Sequence, residues 1–487
     1  MDSETVLEIK DLWFRYSTSS SYALKNINFK LRRGEICLLV GPTGCGKSTL
    51  CLTLLGIIPN VINGEFRGRV LIEGEDVIKN PIYKNAQKIG LVFQNPDNQL
   101  CCLTVEDEVA FGPENLGLPV KEILERVNSA LSVMRIAELR DRYVFHLSEG
   151  EKQKVAIASV LSLKPEVLVL DEPLSHLDVK SVDKVLKEIS RLRDEGFTIL
   201  LVEHKLKSAI KIADRVVAME HGEIVFEGDV KEALKSEIDR RLGLRTTIKA
   251  FREKKHEKSP KYAIVVENLS YEYNGGVKAL REVSVRIPKD STTVIVGCNG
   301  AGKTTLAMCI AGLLKPKQGR IFTDNLRIGL VLQNPDLMLV CDTVWEEVCF
   351  GARNLGEQED KLNKRVEWIL KKLGLYDKKD LHPHSLSRGQ RLRLAVASVV
   401  SMLPDILILD EPTMGQDLRS LSLLFGFLEE LRRKGMTIVF ITHDLDVALA
   451  FSDWMIVMDR GKIVEQGPTE KVAKKEIFKR AGLVIQG

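Results

Sequence analysis

Several features are scarce in this chain of 487 residues, and each scarcity excludes something. No run approaches the roughly 18 apolar residues that a helix needs to cross a bilayer, so any membrane role calls for a separate partner. The N-terminal MDSETVLEIK lacks the basic-then-apolar pattern of a secretory signal. Charge of one sign is lacking too: 71 Lys and Arg against 67 Asp and Glu leave +4, too little to imply nucleic acid. The nine cysteines are odd in number and none forms a CxxC pair, which argues against a disulfide scaffold or zinc site and for a reducing compartment.

What is present is globular and too long for one core. Hydrophobic residues make up 44% and charged residues 28%, an ordinary soluble balance. At roughly 100 to 200 residues per domain, two or more domains are expected.

One pattern is written twice. GPTGCGKS at 41–48 returns as GCNGAGKT at 297–304, each following an apolar run that predicts a buried strand. VLVLDEP, with Asp171, returns as ILILDEP, with Asp410. Gln94 precedes Asp171 by 77 residues, as Gln333 precedes Asp410, and His204 and His443 follow those aspartates by 33. Spacing kept this well predicts two copies of one domain, residues 1–242 and 262–487. Between them, 243–261 is polar and basic and predicts a solvated linker with its boundary near Ser259 and Pro260. The first copy carries extra residues before its glutamine, NGEFRGRVLIEGEDVIKNP against KPKQGRIFTDN, which predict a surface strand and turn.

Each motif has its chemistry. In GxxxxGK[ST], Gly41, Gly44 and Gly46, like Gly297, Gly300 and Gly302, let successive backbone N–H groups curl around phosphate oxygens. Pro42, Thr43 and Cys45 complete the first loop, and Cys298, Asn299 and Ala301 the second. Cysteines inside such loops are expected to be inert fillers. Lys47 and Lys303 would neutralise the β and γ phosphates, and Ser48 and Thr304 would place a hydroxyl on Mg²⁺, with Thr49 and Thr305 following at the nucleotide. Asp171 and Asp410 are expected at strand ends in the magnesium shell, with Glu172 and Glu411 as general bases. A lone histidine after a strand is usually structural, but the matched spacing assigns His204 and His443 to the γ-phosphate.

Two further stretches, LSEGEKQKVAIA from 147 and LSRGQRLRLAVA from 386, complete an order of loop, glutamine, signature, Asp-Glu and histidine. Written twice, that order resembles the ATP-binding cassette ATPases over nearly the whole chain. The resemblance implies an α/β fold of two tandem P-loop NTPase domains, each a mostly parallel sheet core with an antiparallel β subdomain and a helical signature subdomain. It implies an ATP hydrolase that takes ATP and Mg²⁺. It also implies that the two cassettes pair within the chain, each ATP held between the phosphate loop of one and the signature of the other, through Ser148 and Gly150 or Ser387 and Gly389. Gln94 and Gln333 match the glutamine that touches magnesium and the attacking water. Tyr16 in FRYSTSS and Tyr273 in YEYNGG match an aromatic stacked on adenine, with a core or strand tyrosine as the alternative.

Ser148 with Glu151, and Ser387 with Gln390, predict capping boxes that open amphipathic helices. The family's LSGGQ has become LSEGE and LSRGQ, adding Glu149, Glu151 and Arg388. A carboxylate roughly 8 Å from a triphosphate could cost about 2 kcal/mol at an effective dielectric near 20, unless it points to solvent, which is the orientation expected. The hypothesis from the added charge is that the site joining Lys303 to Ser148 closes less readily than the one joining Lys47 to Ser387. In MGQD, Gln416 replaces a usual leucine, leaving the coupling between sites open.

After each glutamine, QNPDNQLCCLTVEDEVAFGPENLGL and QNPDLMLVCDTVWEEVCFGARNLGE resemble each other beyond any need of the nucleotide. Their form looks like the energy-coupling-factor group, including cobalt and nickel transport ATPases. That resemblance implies a transmembrane coupling (T-type) protein, a substrate-capture (S-type) membrane subunit for vitamins or metal ions, and a place on the cytoplasmic face of the membrane, with no nucleic acid. Asp97, Glu106, Glu108, Asp336, Glu346 and Glu347 could attract a basic coupling helix; a solvated acidic face is the alternative. The rivals are a fused ATPase of a sugar importer, a soluble ATPase acting on ribosomes or DNA, and a nucleotide kinase. Against the soluble ATPase stands the lack of a cysteine cluster, heptad arms or a long charged arm, and a kinase needs no signature.

Overall fold

A computed structural model describes residues 4–175, 177, 179–203, 209–236, 238, 261–274, 276–414 and 416–474. His204 and all of the expected linker except Lys261, including Ser259 and Pro260, lie outside the described residues. The chain divides into two compact units, one from each half.

In the first unit, strands β1 (Thr5–Tyr16), β2 (Leu24–Arg32), β4 (Gly64–Ile72) and β5 (Glu75–Asp76) form an antiparallel sheet in the order β2-β1-β4-β5. A second sheet joins β3 (Ile36–Val40), β6 (Ile89–Val92), β7 (Val167–Asp171), β8 (Thr198–Glu203), β9 (Arg215–Glu220) and β10 (Glu223–Asp229) in the order β10-β9-β3-β8-β7-β6. All its pairs are parallel except that of the edge strand β10. The continuous apolar runs have a direct cause. Ile36, Leu38 and Val40 pack into a helical layer, while Cys37 and Leu39 face the antiparallel sheet, so both faces are covered. Each fully buried Leu or Ile contributes roughly 1.5 to 3 kcal/mol, which makes β3, β7 and β8 a rigid floor.

The second unit repeats the plan. Strands β11 (Tyr262–Glu272), β12 (Lys278–Pro288) and β14 (Gln318–Phe322) form the antiparallel sheet. Strands β13 (Thr292–Val296), β15 (Ile328–Val331), β16 (Ile406–Asp410), β17 (Thr437–Ile441), β18 (Trp454–Asp459) and β19 (Lys462–Pro468) form the core sheet, ordered β15-β16-β17-β13-β18-β19. Only β19 runs antiparallel. A helical layer of three packed helices accompanies each copy: Val105–Asn115, Val120–Val133 and Glu149–Leu161 in the first, Val344–Asn354, Glu359–Lys372 and Arg388–Ser401 in the second.

The extra segment of the first copy is more than the expected surface strand and turn. It adds β5, and directly after it comes a helix, Ile82–Lys88, whose Asn85 is buried and donates its amide to the carbonyls of Leu55 (3.0 Å) and Val77 (2.6 Å). Among the described residues no helix is long and apolar enough to cross a membrane.

Candidate functional site

Parallel strands bring their carboxyl ends to one edge of each core sheet, and there the repeated motifs meet. From β3 the chain turns through residues 41–46 into the helix Lys47–Leu54; from β13 it turns through 297–302 into Lys303–Ile310. Gly46 and Gly302 start these helices with φ of 107° and 94°, and a Cβ on either would stand 2.5 Å from the carbonyl oxygen of Ala23 or Ala279. Only glycine fits both constraints. Lys47 is buried and curls back over its own loop, donating from Nζ to Gly41 (2.8 Å) and Pro42 (3.1 Å). Lys303 does the same with Gly297 (2.9 Å) and Cys298 (3.0 Å). Cys45 is buried and burial pushes its thiol pKa up, which suits a filler.

Asp171 and Asp410 end β7 and β16. Thr304 donates to Asp410 Oδ2 at 2.7 Å, and Ser48 bonds Asp171 likewise. Both carboxyls are pushed up to about 6. Burial is the main cause; beside Asp171 the neighbouring Glu172 adds to it, and beside Asp410 the Thr304 bond offsets part before Glu411 adds to it. Oδ1 of each aspartate is buried without a hydrogen-bond partner among the described residues. An orphaned carboxylate oxygen beside a hydroxyl is an oxygen donor set, and it fits a hard divalent cation such as magnesium.

Next in the chain, Glu172 and Glu411 take left-handed backbone conformations, φ 48° and 49°, uncommon for residues with a side chain. Their N–H groups still pair with the neighbouring strand, to Val202 (2.9 Å) and Ile441 (3.0 Å), so the twist re-aims the side chain without breaking the sheet edge. The surroundings then differ. Glu172 Oε2 accepts Gln94 Nε2 at 2.8 Å and its Oε1 lies 3.9 Å from Lys47 Nζ. Glu411 Oε2 lies 3.0 Å from His443 Nδ1 and accepts the His443 N–H at 3.3 Å, while Gln333 points Nε2 at Met414 Sδ, 3.3 Å away. Burial would raise the Glu411 carboxyl, but the charge and hydrogen bond of His443, with the charge of Lys303, outweigh it and hold it below the ordinary value.

Tyr16 and Tyr273 stand beside the helices that follow the phosphate loops, their hydroxyls 2.9 Å from Thr49 and 3.1 Å from Thr305. Both signature serines form the expected capping boxes. Ser148 N–H donates to Glu151 Oε2 (2.8 Å) and Ser387 N–H to Gln390 Oε1 (3.0 Å), each answered by a bond from the third residue's N–H at 3.4 Å. The acidic substitutions do not simply face solvent. Glu151 is engaged by Ser148; burial raises its carboxyl, but those bonds, with the charges of Arg142 and Lys154, outweigh burial and hold it low. Glu149 is half-buried, its carboxyl raised by burial, with Lys152 3.8 Å away.

The acidic residues after each glutamine are mostly engaged by other groups of their own unit. Asp97 pairs with Lys152 (2.7 Å) and Asp336 with Arg391 (2.6 Å). Glu106 pairs with Arg140 at 2.5 Å. Glu108 and Glu347 are buried and accept two backbone N–H groups each, from Cys101 and Cys102 and from Val340 and Cys341. Of the six, Asp97, Asp336 and Glu346 are exposed.

One residue escaped the sequence. Glu203 is fully buried and accepts the Leu174 N–H at 3.0 Å, where the second unit has Thr442 bonded to Thr413 (2.8 Å). The signal was a carboxylate ending the otherwise apolar TILLV run. Gln416 is buried under the second signature, so close that a Cβ on Gly389 would come within 2.9 Å of its amide; neither amide atom has a hydrogen-bond partner among the described residues.

The family described as ABC transporter matches residues 24–175 and 280–414, that is, both phosphate-loop stretches. A Methanosarcina acetivorans chain named for an ABC transporter ATP-binding role is 36% identical, the match covering 99% of this chain and 89% of that one. A Bacillus subtilis chain, YkoD, named for HMP/thiamine import ATP binding, is 33% identical over 96% of this chain and 92% of that one. In fold alone, a chain from a model of ribosome-bound archaeal Pelota and ABCE1 is similar with a TM-score of 0.70 at 23% identity, covering 97% of this chain and 81% of that one.

Proposed function

We propose that this chain, which belongs to the ABC transporter family and hydrolyses ATP, drives an energy-coupling-factor importer of vitamins or metal ions through a separate transmembrane coupling protein and a small substrate-capture subunit. The observation that carries the site is its double construction: in each half a buried aspartate with an orphaned oxygen meets the loop-helix hydroxyl, and the next glutamate is twisted out of the strand. Support for the importer comes from the repeated Asn-Pro-Asp segment and from the thiamine-import relative.

In this reading Lys47 and Lys303 face the β and γ phosphates, and Ser48 with Asp171, or Thr304 with Asp410, hold the cation. Gln94 and Gln333 complete that shell and orient the attacking water. Bound magnesium neutralises charge on the phosphates during transfer. Glu172 and Glu411 take the proton of the attacking water, made ready by low carboxyl affinity for protons at Glu411. His204 and His443 contact the γ-phosphate, Tyr16 and Tyr273 stack on adenine, and Ser148, Gly150, Ser387 and Gly389 close on the nucleotide of the opposite cassette. The chain then works at the cytoplasmic face of the membrane as a peripheral subunit.

Purification of the full chain from gently solubilised membranes tests the partner. A coupling protein with a small capture subunit is expected. A long permease with a receptor would replace this with the sugar-importer reading, and sedimentation with ribosomes with the soluble one.

A further inference from the structure

We propose that Asp97 and Asp336 are positioning residues for ATP hydrolysis, each locking the loop that carries a glutamine onto the signature helix of its own half. This rests on the roles proposed above for Gln94 and Gln333. The same strut is built twice. Directly after each glutamine, Asn95 or Asn334 accepts through Oδ1 the N–H of Asp97 or Asp336, at 3.1 Å in both. Pro96 and Pro335 between them are buried and fix the backbone torsion. The aspartate then accepts a hydrogen bond from Lys152 Nζ at 2.7 Å, or stands 2.6 Å from Arg391 Nε as an ion pair. Both cations lie four residues after the signature serine, on the helix that the capping box opens. On the other side, Gln99 Oε1 takes the N–H of Phe93, and Met338 Sδ that of Leu332, so each loop is also tied back to the residue before its glutamine.

Stability does not explain this arrangement. The aspartates are 50% and 40% exposed, and ion pairs open to water on one side add little to folding. The cation changes from Lys to Arg while its sign does not, so charge rather than shape is what the strut uses. Its geometric result is that the loop carrying the glutamine, whose amide lies 2.8 Å from Glu172 in the first half, is tied to the signature helix.

The test uses the full chain. Asp97→Lys with Asp336→Lys is compared with the charge-swapped protein that also carries Lys152→Asp and Arg391→Asp, with the milder Asp97→Asn and Asp336→Asn pair, and with a Gln94→Ala and Gln333→Ala control. We expect the reversed and neutral variants to lose roughly tenfold or more in kcat, since small misplacements near the reacting atoms cost that much. KM should change less than about twofold and the melting temperature by only a few degrees. The swap should return most of kcat, a recovery that a merely structural defect would not show. Wild-type kcat in the Asn pair, or a swap that is folded yet recovers nothing, overturns the proposal while the glutamine control stays impaired. A glutamine control with full turnover instead overturns the underlying roles, and the strut with them.

Discussion

His443 Nδ1 stands 3.0 Å from Glu411 Oε2, and both side chains are buried. The histidine's charge and hydrogen bond, with the charge of Lys303, hold the Glu411 carboxyl below its ordinary value against burial. Removing them must move that carboxyl upward. In an Glu172→Gln background, where only the second glutamate is left to work, His443→Ala is expected to shift the acid limb of the kcat profile to higher pH. A pH-rate profile that only falls in height, without moving, contradicts this.

Asp171 and Asp410 give a prediction of opposite sign. Folded, they hold protons up to about 6; unfolded, they release them near 3.8. Between these values the folded chain binds more protons, so these two groups make stability fall as pH rises through that window, by up to roughly 3 kcal/mol each. Asp410→Asn should therefore raise the melting temperature at about pH 7.5 and do less near pH 5. Added Mg²⁺ should stabilise the native chain more at the higher pH, and less in the variant. Equal effects at both pH values would contradict the assignment.

Gln416 buries an amide with no partner among the described residues. Such a group costs about 1 to 3 kcal/mol, so Gln416→Leu is expected to stabilise the second unit by at least about 1 kcal/mol in denaturant unfolding. A loss of stability would mean that the amide has a partner.

The two signatures differ at Glu149, Glu151 and Arg388. With cassettes paired as the family resemblance implies, Lys47→Ala leaves the site of Lys303 and Ser148, and Lys303→Ala leaves the site of Lys47 and Ser387. ATP turnover and affinity are expected to be lower in the first variant. Equal values in both would remove the inequivalence.

Local rules were legible in the sequence, and long-range ones were not. The capping boxes depend on residues three apart, and the strands β3, β7, β13 and β16 on short apolar runs, so both could be read directly. Asp97 and Lys152 are 55 residues apart, and nothing in either neighbourhood says which cation the loop will meet. Read alone, those aspartates look like a surface for a partner. The helix Ile82–Lys88 was missed because IYKNAQK is short and its one buried contact is made by a polar residue, Asn85. The left-handed turn at Glu172 and Glu411 carries no glycine to announce it.

Most direct is ATP turnover by the full chain carrying Glu172→Gln and Glu411→Gln, measured beside retention of bound ATP. Turnover should vanish while ATP stays bound. Hydrolysis at the wild-type rate would mean that these glutamates are not the bases, and that the twice-built centre does not carry the reaction.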